Sequence, residues 1–214
     1  MRGICFHETT IYRILKMKKV RYTHEYKRWI NKKPKLYCLE KPGIELQFRA
    51  SYPFGRQRNI VSFDAIDYCS RFVILKLYDR ENDENAIEFV KYLVKKAPFR
   101  IQSLRVDNRY GMRFKEYCES IGIDIIKNDP YHPEQNGKIE RFHRTMKNEF
   151  FYKFISFHDT MEKIEYKYQQ WLFHYNTHRR HGGYSMNRMT SKQKIVSTLF
   201  LSLNNINFTS QRVT

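Results

Sequence analysis

"PYHPEQNGKIERFHRTMKNEF", residues 130 to 150, joins a proline-punctuated loop to a basic helix, with Asn136-Gly137 at the junction. Beyond that pair, Ile139, Phe142, His143, Met146 and Phe150 recur at helical spacing, so one helix face is built to lie on a sheet. Glu140, Arg144 and Lys147 fall together at the border of that face. A single acid near the helix start, flanked by Lys138, Arg141, His143 and Arg144, has two physical explanations. It can pair with Arg144 one turn on, for about 0.3 kcal/mol. Or it can hold a divalent cation beside a polyanion.

What surrounds this stretch decides the setting. Upstream, "ELQFRASY" (45–52), "NIVSFDAIDY" (59–68) and "RFVILKLY" (71–78) are rich in β-branched and aromatic residues, and "PFGRQR" and "CS" separate them as turns. These read as an antiparallel meander. From Asp83 the period changes to 3.6, with Ile87, Val90, Leu93, Val94 and Ala97 on one face and Asn82 or Asp83 as the cap. "SLRVD" (103–107) is a short strand ending on an acid, followed by a helix around 112–120 and the strand "IDIIK" (123–127). Strands alternating with helices indicate crossovers and an α/β sheet. Downstream, a long helix over 159–176 carries Met161, Ile164, Tyr168, Trp171, Leu172 and Tyr175, and Thr190 to Gln193 has capping-box spacing for a last short helix.

The chain is long enough for one substantial core. Forty Lys and Arg against 22 Asp and Glu leave a formal net charge of +18. That excess costs self-repulsion and no core needs it, so it points to a polyanionic partner. No apolar window is long enough to span a bilayer, and "MRGICFHETTIYRILKMKK" lacks the apolar core of a secretory signal. Cys5, Cys38, Cys69 and Cys118 lie far apart without CxxC pairing, as free thiols of a reducing compartment do. A cytoplasmic location with no membrane contact is the expectation.

Two acids occupy telling positions: Asp107 ends a strand and Glu140 begins a helix. Sites in open α/β sheets gather at strand carboxyl ends and adjacent helix starts. Two divalent cations held by carboxylates can activate both the attacking and the leaving oxygen of a phosphodiester. Basic side chains nearby would grip the nucleic-acid backbone. Each acid also has an ordinary explanation, since Asp-Asn after a strand is common turn chemistry. Five histidines, His132, His143, His174, His178 and His181, fit no compact zinc spacing and read as core or DNA-facing groups. Tyr131 is a candidate for stacking on a base.

The 130–150 stretch resembles the signature around the last carboxylate of the DDE transposases and integrases, above all bacterial insertion-sequence transposases of the IS3 and IS481 type. "FDAIDYCSRFV" is similar to that family's second-strand pattern at Asp67, Ser70 and Arg71. "VDN" resembles the segment carrying its second catalytic Asp, here Asp107, and "YNTHRRH" (175–181) the segment past the last acid. "TTIYRIL" resembles the end of a helix-turn-helix recognition helix. The resemblance implies an RNase H-like core with a mixed five-stranded sheet flanked by helices. It implies Asp107 and Glu140 as catalytic and metal-binding residues, with Mg²⁺ or Mn²⁺ as cofactor. The chemistry would be DNA cleavage and strand transfer, with element ends and target DNA as partners and a homo-oligomer as the working form. Lys138, Arg141, Arg144, Lys147, Arg179 and Arg180 are the candidate DNA contacts. The expected organisation is a helix-turn-helix remnant (1–20), a basic linker (21–43), an integrase core (44–200) and a flexible tail (201–214).

Three departures stand against that implication. The first strand reads "LQFRASYP", with Arg49 where the family has its first catalytic Asp. Arginine is a cation without an acceptor, so it cannot ligate Mg²⁺ and can pair instead with Asp107 or Glu140. Asp67 has its own place in the family pattern, and Asp64, three residues earlier, alternates to the opposite face. Neither is an evident replacement. After Asp107 the family's glycine is missing, Arg109 stands in its place, and the span to Glu140 is short. The amino-terminal DNA-binding domain is also incomplete in the resemblance. The expectation is a retained fold with impaired catalysis, or a non-catalytic DNA-binding relic that binds element ends or interferes with a full-length transposase.

Overall fold

The structure, a computed structural model, describes Arg13 and residues 39–55, 57–129 and 133–199. Apart from Arg13, the expected helix-turn-helix remnant (1–20), most of the linker and the tail from 201 lie outside the described residues, as do Tyr131 and His132. Strands β1 (Glu45–Ser51), β2 (Val61–Asp67) and β3 (Val73–Tyr78) form the expected meander. Helix α1 (Asp83–Lys96) leads to β4 (Ser103–Val106), and α2 (Met112–Ser120) leads to β5 (Asp124–Lys127). Helix α3 (Gly137–Met146) runs through a π-helical turn at Lys147–Phe151, and α4 (Met161–Thr177) and α5 (191–199) follow. The sheet order is β3-β2-β1-β4-β5, with β1 parallel to β4 and β4 parallel to β5. This is the mixed five-stranded sheet flanked by helices that the resemblance implies.

Strand alternation sorts the side chains onto two faces. Leu46, Phe48, Ala50, Val61, Phe63 and Ala65 pack under α1 and α2. Phe48 is the centre of this layer, its ring 5.5–5.7 Å from those of Phe63, Phe89 and Phe114. On the other face, Ile66, Val73, Leu75 and Leu77 meet Ile139, Phe142, Met146 and Phe150, with Ile164, Tyr168 and Leu172 from α4. Here β1 contributes Gln47, Arg49 and Ser51, a polar strip whose partners on β2 are Ile66, Asp64 and Ser62. The candidate site is built on that strip.

Sequence periodicity misplaces the buried face of α1 by part of a turn. Ala86, Phe89, Val90 and Leu93 are the buried residues, while Val94 is 48% exposed. Counting aliphatic residues alone leaves out Phe89, the largest apolar group on the helix. Asn82 is the cap, accepting from the Asn85 amide. The Thr190–Gln193 capping box forms as expected, each side chain bonding the other residue's backbone N–H. The expected linker ends inside the core. Gly43 is buried at φ +87, and a Cβ there would meet the Arg100 carbonyl oxygen. That clash and the positive φ require glycine, whose N–H donates to Asp67 Oδ1 at 2.8 Å.

Helix α4 solves the problem of the open edge of β3. Asn176 receives the Val73 N–H and returns a bond to the Val73 carbonyl, at 2.9 and 2.8 Å. Gln169 donates to the Leu75 carbonyl and Glu165 accepts the Leu77 N–H. Three polar side chains along one helix thus satisfy edge groups that would otherwise template another strand. Burial raises the Glu165 carboxyl above its ordinary pKa.

Candidate active site

The "PEQNG" turn docks the start of α3 onto β1 and β4. Gln47 accepts the Ile139 N–H at 2.9 Å and donates to the Gln135 carbonyl at 2.5 Å. Gln135 binds Asp129 through both its amide groups, and Asn136 accepts from Asn128. Arg105, bidentate on the buried Glu45, adds a long contact to Gln135. The motif residues therefore act largely as a clamp that sets where Glu140 emerges. Gln47 is the residue sequence reading missed. Its signal is a polar residue between Leu46 and Phe48 in a strand whose neighbours are fully buried.

Glu140 lies on the first turn of α3 and is met by Arg49 of β1, Nη1 to Oε1 at 3.0 Å. It is not held by Arg144 of its own helix, so the helical-pair explanation gives way to a long-range one. The β1–β4 register sets Gln47 opposite Arg105, and Asp107 follows the end of β4. The structure therefore brings Arg49 and Glu140 of the implied triad positions together, with a guanidinium where the resemblance implies a carboxylate. Asp107 has its own arginine: Arg109 Nη2 lies 3.3 Å from Oδ2. Arg109 also reaches Glu81 at 3.4 Å, and Glu81 accepts from the Tyr52 hydroxyl. That hydrogen bond to a carboxylate, with burial, raises the Tyr52 pKa.

Asp64 is the cross-strand partner of Arg49 and lies fully buried on the same face. Its carboxylate accepts from Ser51 and Ser62 and contacts His143 Nε2 at 2.7 Å, one turn beyond Glu140. All the polar capacity of Asp64 is turned inward. Asp67 caps the turn after β2, accepting from Gly43, the Ser70 amide and the Ser70 hydroxyl. Its burial raises its pKa. Neither is aimed at Glu140.

The candidate DNA contacts divide. Lys138 donates to the Tyr68 carbonyl at 3.0 Å and lies against that ring, tying α3 to the β2–β3 turn. Arg179 is bidentate on Glu149, at 2.6 and 3.1 Å, and holds that carboxyl below its ordinary pKa. Arg141, Arg144 and Arg180 are exposed, and Lys147 is half-buried. His181 is buried against Tyr175, its backbone N–H bound to the Met189 carbonyl, and burial pushes its pKa down to about 4.

Divalent cations need several oxygen ligands with net negative charge. Two carboxylates, each carrying an arginine, do not supply that. Among the described residues no three His, Cys, Asp or Glu side chains converge as a metal-binding group. The paired Mg²⁺ ions of the implied chemistry do not fit this donor set.

Residues 121–190 match the model of the family described as integrase core domain. A 98-residue stretch is 29% identical to the Gag-Pro-Pol polyprotein of squirrel monkey retrovirus, covering 45% of this chain. The chain accounts for 5% of that polyprotein's length. Among solved structures, the simian T-cell lymphotropic virus intasome in complex with PP2A regulatory subunit B56 gamma aligns at a TM-score of 0.63 and 17% identity. That alignment covers 74% of this chain and 56% of the other. The catalytic core domain of BIV integrase aligns at 0.57 with 18% identity, over 75% of this chain and 99% of that domain. The dimeric HTLV-2 integrase catalytic core domain in complex with magnesium aligns at 0.54 with 14% identity, over 70% and 97%. The stretch around Glu140 is thus similar to an integrase core domain, and the fold is the one seen in retroviral integrase catalytic cores. No helix among the described residues is long and apolar enough to cross a membrane.

Proposed function

We propose that the chain is the core of a DNA strand-transfer protein, a transposase or integrase, that binds DNA while its metal-dependent chemistry is disabled. The observation that carries this reading is Arg49, in the place of the first carboxylate and 3.0 Å from Glu140. Asp107 and Glu140 are the surviving members of the catalytic and metal-binding set. Arg141 and Arg144, exposed on α3, and Arg180, exposed just past α4, are the phosphate contacts, with Lys147 at the border. Lys138 and Arg179 serve chiefly to hold the fold. The insertion-sequence type is favoured by the "YHPEQNGKIER" and "YNTHRRH" motifs. Residues 1–20 would belong to a DNA-binding domain, 21–43 to a linker, 44–200 to the core and 201–214 to a tail.

With its polar clamp intact and its acids paired, the protein would occupy element ends without cutting them. In a cell holding an active relative, it would compete for those ends or enter mixed oligomers. The test is Mn²⁺-dependent nicking and joining of plasmid DNA by the native chain and by Arg49→Asp. Silence from the native chain with activity from Arg49→Asp supports the reading; vigorous nicking by the native chain overturns it.

A further inference from the structure

His174 and His178 stand one helical turn apart at the carboxyl end of α4, and both are exposed, so their side chains share its solvent face. His178 is the C-cap and keeps helical backbone angles, with its N–H on the His174 carbonyl at 2.9 Å. The two rings lie 5.6 Å apart between centres, their planes within 12° of each other. Hydrogen bonding fixes the proton on one of them. The Thr177 hydroxyl gives its single proton to the Phe173 carbonyl at 2.6 Å. Its contact with His178 Nδ1 at 2.7 Å therefore has the imidazole N–H donating. The neutral His178 ring then carries a lone pair on Nε2. Among the described residues the His174 ring makes no hydrogen bond, and His178 is its ring neighbour.

We propose that His174 and His178 chelate one borderline transition-metal ion, of which Zn²⁺ is the representative, at the end of α4. Two histidines four residues apart on one helix face are a zinc-binding arrangement. A histidine whose other ring nitrogen is held by a hydrogen bond is already set in the tautomer and orientation of a ligand, and Thr177 does this for His178. Imidazole nitrogens about 2.1 Å from a shared ion put the ring centres about 5 Å apart, and the soft χ2 torsion of histidine closes the small difference. The free carbonyls at a helix carboxyl end favour a cation there. Arg179, the adjacent cation, is bidentate on Glu149. That carboxyl is held low chiefly by Arg179 and more weakly by Lys153 and His174, so an acid offsets positive charge at this place. No third protein ligand joins the pair among the described residues, so water fills the remaining positions and the site is open. Mg²⁺ and Mn²⁺ favour oxygen ligands and are not its ions, which separates it from the site around Glu140.

The experiment is calorimetric titration of the full chain with Zn²⁺ at about pH 7.5, where an ordinary imidazole is neutral. It compares the native chain with His174→Gln, with His178→Gln and with a control, His158→Gln, which removes another exposed histidine. The native chain is expected to take about one ion through this pair. Either ligand variant should bind at least about tenfold more weakly, and the control should stay within about twofold of native. An ion that binds only the folded chain also raises its melting temperature. Saturating Zn²⁺ should therefore raise thermal unfolding of the native chain and leave that of His178→Gln where it was. Both histidines lie at the surface, and circular dichroism establishes that each variant is folded. Zn²⁺ affinity unchanged in both ligand variants, or a native chain without saturable binding, overturns the chelate.

Discussion

At the scale of the residue, Arg49 carries the proposed reading. It pairs with Glu140, so a guanidinium stands where the resemblance implies a cation-binding carboxylate. The sequence made this alternative visible, because an arginine among acids has few uses except to pair with them. It did not reveal which acid would take Arg49, because that depends on how α3 docks on β1, nor that Arg109 would turn back on Asp107 two residues before it. Asp64 was unreadable for a similar reason. Its partners Ser51, Ser62 and His143 come from three elements, and alternation alone gives the face and not the company.

His181 gives a separate test at this scale. Its folded pKa is about 4, against about 6.5 for an unperturbed imidazole. Between those values the unfolded chain binds a proton that the folded chain refuses, so stability falls as pH drops through that window. The loss is at most about 3 kcal/mol by pH 4, and none of it arises above pH 7. Urea denaturation from pH 7 to pH 4 should show a shallower decline in His181→Gln than in the native chain. Parallel declines would mean that His181 is protonated in the folded state.

At the scale of the element, the helices are held by polar contacts as much as by their apolar faces. Asn176→Leu leaves the N–H and carbonyl of Val73 unpaired at the sheet edge, at about 1–3 kcal/mol for each group. An expected loss of about 3 kcal/mol in urea unfolding sets it apart from Tyr166→Ala on the exposed face of α4, expected within about 0.5 kcal/mol. Gln47→Leu should release the start of α3, so hydrogen exchange at the Ile139 amide accelerates well beyond that at Phe142. Equal protection at both would show that the apolar face alone fixes the helix. Strand number, order of elements and the buried side of α3 were legible because period-2 and period-3.6 patterns are local. The covering of β3 by Glu165, Gln169 and Asn176 was not, because a polar residue bonding an edge and one facing water look alike in sequence.

At the scale of the whole molecule, the net charge of +18 acts on stability as well as on partners. Like charges within a Debye length of about 10 Å at 0.1 M salt repel, and added salt screens them. Thermal unfolding should therefore shift upward between low and moderate sodium chloride, by a few degrees. A downward shift would mean that ion pairs such as Arg49–Glu140 and Arg179–Glu149 outweigh the repulsion. On the proposed reading the same charge draws DNA to the site around Glu140. The central claim, that arginine occupies the place of the metal, is tested most directly by titrating Mn²⁺ into the native chain and into Arg49→Asp by calorimetry. No binding heat in the native chain, with saturable binding in Arg49→Asp, is the expected result. Mn²⁺ binding by the native chain as tight as by the variant would contradict it.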